Sequence, residues 1–174
     1  MMLRAHSKTL RAWLRTVLPH VGCGAEIGVW EGKTSAALLE QYPELRLILV
    51  DPWKPYADQN FELTTAKKMA LVKERAMSRI EKYMDRVTLI EKPSLEACDE
   101  VADRSLDFVF IDPRHLDIAA DLQAWFLKVR PGGIFCGHDY GLMPVIKPAV
   151  DAFAKEHDCV VETLRGYVWW IKPK

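Results

Sequence analysis

The sequence predicts an open, doubly wound α/β fold: a mostly parallel seven-stranded sheet with helices on both faces and a C-terminal antiparallel hairpin. Three observations predict it. From Ala25 onward, short apolar runs alternate with longer segments of helical period. The runs LRLILV and LDFVFI lack the polar alternation of a half-exposed strand, so both of their faces must be covered. The last two runs are joined only by Arg165-Gly166, too short a link for a crossover helix, so they pair antiparallel.

Leu3 to Leu18 has the period of an amphipathic helix, with Leu3, Leu10, Leu14 and Val17 on one side and Pro19 as the stop. Ala25 to Trp30 is the first strand. A glycine-bearing polar stretch follows, then Thr34 to Tyr42 as a helix ended by Pro43. Leu45 to Val50 is the second strand, and Asp51 to Gln59 is a loop with two prolines. Phe61 to Met84 reads as one long helix lined by Met69, Val72, Ala76 and Ile80. Arg86 to Ile90 is the third strand and Ser94 to Ala102 a short helix. Leu106 to Ile111 is the fourth strand, and Leu116 to Val129 is a helix with Ile118, Leu122, Trp125 and Val129 inward. Pro131-Gly132-Gly133 is a turn before the fifth strand, Ile134 to Gly137. A helix opened by Pro144 or Pro148 runs to about His157. Cys159 to Leu164 and Tyr167 to Ile171 form the hairpin. Alternation sends Trp169 and Trp170 to opposite faces, either both under helices or one of them at a dimer contact.

The 174 residues suffice for a single domain with a real core, residues 1–20 being a helix packed on it. Hydrophobic residues make up 49% and charged residues 28%, which excludes a disordered chain. Basic and acidic residues number 24 each, so the chain does not live on phosphate-backbone electrostatics. No apolar run approaches the ~20 residues of a membrane helix. Met1 to Val21 lacks the apolar stretch and cleavage site of a secretory signal. Four cysteines without a CxxC pair read as reduced thiols of a cytoplasmic protein.

Ligands of an open parallel sheet bind beyond the carboxyl ends of its strands, so the residues just past each strand are the candidates. Past the first strand, Glu26-Ile27-Gly28-Val29-Trp30-Glu31-Gly32-Lys33-Thr34-Ser35 is a glycine turn opening a helix. It resembles a nucleotide-binding turn but has neither dinucleotide nor Walker spacing, and chain reversal alone also explains its glycines. Past the second strand, Asp51 has the place of an acid that accepts bonds from ribose, and Trp53 either stacks on a purine or covers the sheet edge. Past the third, Ser94 is an N-cap at the rim where a base would lie. The fourth and fifth strands end in Asp112-Pro113-Arg114-His115 and His138-Asp139-Tyr140. Neighbouring strand ends thus bring carboxylates and imidazoles to one rim, a set suited to a divalent cation with one imidazole left as a base.

Four blocks, AEIGVWEGKTS, LVDPW, SLDFVFIDPRHLDIAADLQAWFLKVRPGGIFCGHDY and PVIKPAVDAFAKE, spread from Ala25 to Glu156. Together they resemble class I S-adenosylmethionine-dependent methyltransferases, which are Rossmann-like enzymes. More narrowly, they are similar to the small metal-dependent O-methyltransferases of antibiotic sugars. The resemblance implies S-adenosylmethionine as cofactor. Its methionine part would lie against Glu26, Gly28, Gly32 and Ser35, its ribose on Asp51, and its adenine near Trp53 and Ser94, with Asp112 bordering it. It implies Mg2+ or another divalent cation on Asp112, and His115 as the base. Where the pattern ends its fifth strand in paired acids, this chain has His138-Asp139, which leaves Asp139 and His138 as the further ligands and His138 as a second candidate base. Arg114 stands where the pattern has an acid, placing positive charge beside this rim or meeting an anionic group of the substrate.

The implied reaction is O-methylation of a hydroxyl on a sugar, glycan or small natural product. Tyr56, Trp53 and Tyr140 offer an aromatic wall for such an acceptor. Neither membrane nor nucleic acid is expected as a partner, and a homodimer would supply a lid. The competing readings are a catechol-type or N-methyltransferase and a non-catalytic cofactor-binding or interaction module on the same fold. A nicotinamide dehydrogenase fails on glycine spacing.

Overall fold

The computed structural model describes residues 16, 20–56, 64–112, 118–165 and 167–172. Most of the helix expected over Leu3 to Leu18, and the loop residues Pro113, Arg114 and His115, lie outside these. Strands β1 (Cys23–Ile27), β2 (Arg46–Val50), β3 (Val87–Ile90), β4 (Leu106–Ile111), β5 (Val129–Gly137), β6 (Glu162–Leu164) and β7 (Val168–Ile171) make one sheet. Its order is β3-β2-β1-β4-β5-β7-β6. The first five run parallel, and β7 is antiparallel to both β5 and β6. The fold class read from the sequence is therefore present, hairpin included. The order reverses between β1 and β4, so a crevice opens beyond their carboxyl ends.

Helices α1 (Lys33–Gln41) and α2 (Ala66–Ile80) cover one face. Helices α3 (Ser94–Cys98), α4 (Ile118–Phe126) and α5 (Ile146–Glu156) cover the other. Period-two alternation divides β4 between the layers: Phe108 and Phe110 face α1 and α2, while Val109 and Ile111 face α4 and α5. The same alternation buries Trp170 in the first layer and Trp169 in the second. Both tryptophans are thus core residues, and neither is at the surface for a dimer contact.

Several boundaries differ from the sequence expectation, each for a local reason. β1 stops at Ile27 rather than Trp30, because Gly28 and Trp30 take positive φ of 89° and 52°. α2 starts at Ala66 because Thr65 is extended and its hydroxyl accepts from the Lys68 N–H at 3.1 Å. It ends at Ile80, and Glu81–Arg86 tightens into a 3-10 turn. There the Arg86 guanidinium donates to the carbonyls of Leu39, Tyr42 and Leu45, closing the C-terminus of α1. α3 is capped at Pro93, not at Ser94, and i→i+3 bonds from Glu100 and Val101 end it before Ala102. α4 ends at Phe126, so Val129 belongs to β5 and not to the helix.

The expected turn at Pro131-Gly132-Gly133 is instead a bulge inside β5. Leu106 pairs with Val129 and Phe108 with Ile134, so four residues oppose one. The residue opposite is Asp107, and its carboxylate organises that end of the sheet. It accepts from the Gly22 and Cys23 N–H groups at 2.6 and 2.8 Å and from Arg130 Nε at 2.5 Å. Burial raises the Asp107 carboxyl, but these donors outweigh it and hold it below the usual range. Replacing Asp107 by Ala is expected to cost about 2 kcal/mol, seen as a lower urea midpoint at unchanged slope. An unchanged midpoint would show that β1 and β5 do not depend on this carboxylate.

Candidate functional site

The parallel ladders continue one residue past β1, β2, β4 and β5. Asp51 N–H donates to the Ile90 carbonyl at 3.3 Å, Gly28 N–H to Val50 at 2.9 Å, Asp112 N–H to Ile27 at 2.8 Å, and His138 N–H to Ile111 at 3.1 Å. Asp51, Gly28, Asp112 and His138 are thereby lined up along the rim at the sheet's crevice, one strand spacing apart. This row is where the sequence placed its candidates.

The glycine turn is held from below and from the side. Gly28 and Gly32 both take left-handed φ, 89° and 69°, where a side chain is strained. At Gly32 a Cβ would also lie 3.1 Å from the Ala76 Cα of α2. Glu31 locks the contact: its carboxylate meets Lys33, Arg75 and Arg79, which drive its carboxyl down to about 2. Arg79 also donates to the Glu31 carbonyl at 2.6 Å. The pairing of Glu31 with Arg75 and Arg79 was not foreseen, since both arginines are more than forty positions away.

Two buried acids border this turn. Glu26 faces α1, where the Ser35 hydroxyl donates to its Oε2. Burial drives its carboxyl up to about 8, the Ser35 bond opposing and the Asp51 charge adding. Asp51 accepts from the N–H groups of Val29 at 3.1 Å, Trp30 at 2.9 Å and Trp53 at 2.8 Å. Burial raises its carboxyl and the three N–H bonds oppose this. The Asp51 carboxylate thus clamps the glycine turn to the β2 loop, a use the sequence did not reveal.

Trp53 is 6% exposed and packs in the α1–α2 core. Its Nε1–H donates to the Trp30 carbonyl at 3.0 Å. Of its two readings, the structure shows the covering one, with no exposed face for a purine. Ser94 starts α3, and its hydroxyl accepts from Trp125 Nε1 at 2.8 Å. That bond anchors the rim of β3 to α4 and replaces the expected N-cap role.

Asp112, His138 and Asp139 converge: each offers one ligand atom, and these atoms lie within 4.8 Å of one another. His138 Nδ1 is 2.6 Å from Asp139 Oδ1. Asp139 is held at φ 64°, with its carbonyl accepting from Leu142 and Met143 at 3.0 Å each. Burial, then Asp139, then Glu26 push the Asp112 carboxyl well above the usual carboxylate range. Two acids and an imidazole this close, and partly buried, fit a divalent cation by charge and by donor type. His115 belongs to the loop outside the described residues.

Trp30 is the residue the sequence did not single out. It is 36% exposed at the rim, and the partly buried Tyr56 ring lies 6.4 Å away, edge to face. Its position between two glycines was the available signal.

A 67-residue segment, 37% of the chain, is 33% identical to the uncharacterized protein y4gI of Sinorhizobium fredii (strain NBRC 101917 / NGR234), and the match spans 7% of that relative. Among solved structures, the O-methyltransferase TomG of Streptomyces achromogenes, involved in tomaymycin synthesis and bound to SAM, is similar at TM-score 0.69 and 17% identity, over 98% of this chain and 80% of that one. The SAH-bound methyltransferase PaMTH1 of Podospora anserina is similar at TM-score 0.70 and 17% identity, over 98% and 79%. The precorrin-6y C5,15-methyltransferase of Geobacter metallireducens is similar at TM-score 0.65 and 17% identity, over 93% and 85%. At such identities the likeness is one of fold, and a fold shared by enzymes of different acceptors does not choose between them. Residues 25–140, from the middle of β1 to just past the Asp112–His138–Asp139 cluster, match the family described as Methyltransferase domain, and the chain belongs to that family.

Proposed function

We propose that this chain methylates a hydroxyl of a sugar, glycan or small natural product, using S-adenosylmethionine. The convergence of Asp112, His138 and Asp139 beside the glycine turn carries the reading. A cluster of oxygen and nitrogen donors at the switch point of the sheet is where an acceptor hydroxyl would meet a reactive group.

S-adenosylmethionine supplies an electrophilic methyl group on a sulfonium that is already a good leaving group. What remains for the protein is alignment and charge. The Gly28–Gly32 turn lets the backbone approach the cofactor, and Glu26, held by Ser35, stands two residues before Gly28. Asp51 keeps oxygen lone pairs for ribose hydroxyls beside the three N–H bonds it accepts. Asp112, His138 and Asp139 would hold a divalent cation, which would stabilise negative charge growing on the acceptor oxygen. One imidazole among the donors favours Mn2+, Fe2+ or Zn2+ over Mg2+.

His115, three residues past Asp112, is the proposed base. A second reading has its own observation: Asp139 sits 2.6 Å from His138 Nδ1, an arrangement that orients an imidazole for proton transfer. The two histidines are separated by variants. His115→Ala is expected to lower turnover about a hundredfold or more with cofactor affinity retained. Near-normal turnover in that variant would remove His115 as the base, and collapse in His138→Ala with Mn2+ affinity retained would assign the base to His138.

The cofactor is tested by calorimetric titration of S-adenosylmethionine, with NAD as control and with Mg2+ or Mn2+ present and absent. Saturable binding of S-adenosylmethionine and none of NAD is expected. No binding under any condition overturns the proposal. Tight binding without transfer to any hydroxyl would instead favour the non-catalytic reading.

Free thiols at all four cysteines accord with the cytoplasmic setting proposed here. No helix among the described residues is long and apolar enough to cross a membrane.

A further inference from the structure

β7 runs against the direction of β5, and this brings the residues that open it to the rim. Gly137, the last residue of β5, stands opposite Trp169. In an antiparallel pair the residues just before Trp169 then lie alongside those just after Gly137, where the parallel strands end. Glycine at 137 permits the close approach, since a Cβ there would lie 2.5 Å from the Trp169 indole.

Three contacts join the hairpin to His138 and Tyr140. Trp169 Nε1–H donates to the His138 carbonyl at 3.2 Å. The Tyr140 N–H donates to the Tyr167 carbonyl at 3.1 Å. The Tyr167 ring lies 5.7 Å from the His138 imidazole, centroid to centroid, at 53°. That is the separation of a favourable ring pair. The first two contacts fix the backbone on either side of Asp139, and the third reaches the imidazole itself.

The imidazole is thereby held at two places. Asp139 Oδ1 is 2.6 Å from its Nδ1, which fixes one point of the ring. A second ring packed against it resists rotation about that point. Tyr167 is suited to this, because it is anchored in turn. It is partly buried against the α1–α2 core, and its N–H donates to the Leu164 carbonyl at 3.4 Å. Groups that orient a metal-binding imidazole matter nearly as much as the ligands, their loss costing about tenfold to a hundredfold in affinity.

We propose that Tyr167 is a positioning residue: its ring holds the His138 imidazole in the orientation in which it joins Asp112 and Asp139. The C-terminal hairpin is then part of the site as well as the edge of the sheet. This rests on the reading of those three side chains as a cation site.

The test compares the wild type with Tyr167→Ala, Tyr167→Phe and Leu164→Ala by two readouts. The first is the order of the His138 ring in metal-free protein, from 13C relaxation of labelled histidine, which a lost ring current does not alter. The second is Mn2+ affinity by calorimetry. Tyr167→Ala is expected to loosen the imidazole and to weaken Mn2+ binding about tenfold. Tyr167→Phe keeps the ring and should keep both within about threefold. Leu164→Ala weakens the hairpin from its other strand, so it should lower the melting temperature and leave both readouts as in the wild type. An imidazole as ordered in Tyr167→Ala as in the wild type overturns the proposal, and so does unchanged Mn2+ affinity in that variant. Equal losses in Leu164→Ala would make Tyr167 one more structural residue of the hairpin and overturn it too. A wild type that binds no Mn2+, with the imidazole loosened in Tyr167→Ala alone, would leave Tyr167 as the residue positioning His138 while the cation reading fails.

Discussion

Replacing Asp112 by Asn is expected to remove the proposed divalent-cation binding and to lower the proposed methyl transfer by about a hundredfold or more, while the free protein becomes no less stable than the wild type. The two halves of this expectation come from one arrangement. Asp112 sits at the end of β4, with its ligand oxygen within 4.8 Å of the ligand atoms of His138 and Asp139. In the free protein that proximity is unfavourable: burial disfavours the charged form, and Asp139 and Glu26 repel it. Asn has the same shape and no charge, so it relieves the repulsion. It also removes the anionic oxygen that a hard or borderline cation requires. Mn2+ titration followed by calorimetry reads the first half, and urea denaturation in a chelating buffer reads the second. A variant that still binds Mn2+ as the wild type does would remove Asp112 from the cation site. A variant that is markedly destabilised would show that the cluster is a structural hydrogen-bond network instead.

Glu26→Gln is expected to flatten the pH dependence of stability on the alkaline side. The Glu26 carboxyl lies at about 8 in the folded chain against an ordinary value of 4.5. Between those two values the folded state holds a proton that the unfolded state has released. Stability is therefore full below 4.5 and falls as pH rises towards 8, by about 1.4 kcal/mol per pH unit from this group. Gln cannot ionise and can still accept the Ser35 hydroxyl bond, so the variant should keep its stability at pH 8. Urea midpoints from pH 5 to 9 decide this. Parallel curves for the two proteins would mean that Glu26 is ionised throughout. The same group links protons to the proposed cofactor. If the cationic methionine end of S-adenosylmethionine lies near Glu26, binding at pH 7 must expel a proton. Titrations in buffers of different ionisation enthalpy should show that release in the wild type and none in Glu26→Gln.

Much of the site was legible because strand ends are legible. With Ala25 to Trp30, LRLILV, LDFVFI and Ile134 to Gly137 as parallel strands, topology alone sends Asp51, Asp112, His138 and Asp139 to one rim. The ladder bonds that continue past each strand show why this inference works: the first residue beyond a strand is still held in register. Trp53 and Ser94 were less legible, because an indole or a hydroxyl in a loop has several destinations. Which one it takes depends on what another element presents. Trp53 found the Trp30 carbonyl and the α2 core, and Ser94 found the indole of Trp125, thirty-one positions away. Helix ends were legible only within a turn or so. Thr65 stops α2 short of the apolar pattern preceding it, and the β5 bulge moves Val129 from a helix to a strand.

The class of fold, the order of its elements and the rim on which polar residues gather are all readable in the chain's hydrophobic pattern. Those follow from hydrophobic period and link length, which are local properties. How these residues are used is set by the packing of distant segments. It placed Asp51 under the glycine turn as a three-point clamp, buried Trp53, and left Trp30 exposed in a strained conformation. It also closed Glu31 onto Arg75 and Arg79 of α2. Each of these is a contact between segments distant in the chain, set by packing geometry and by the need of buried polar groups for partners. No spacing within one segment carries that information.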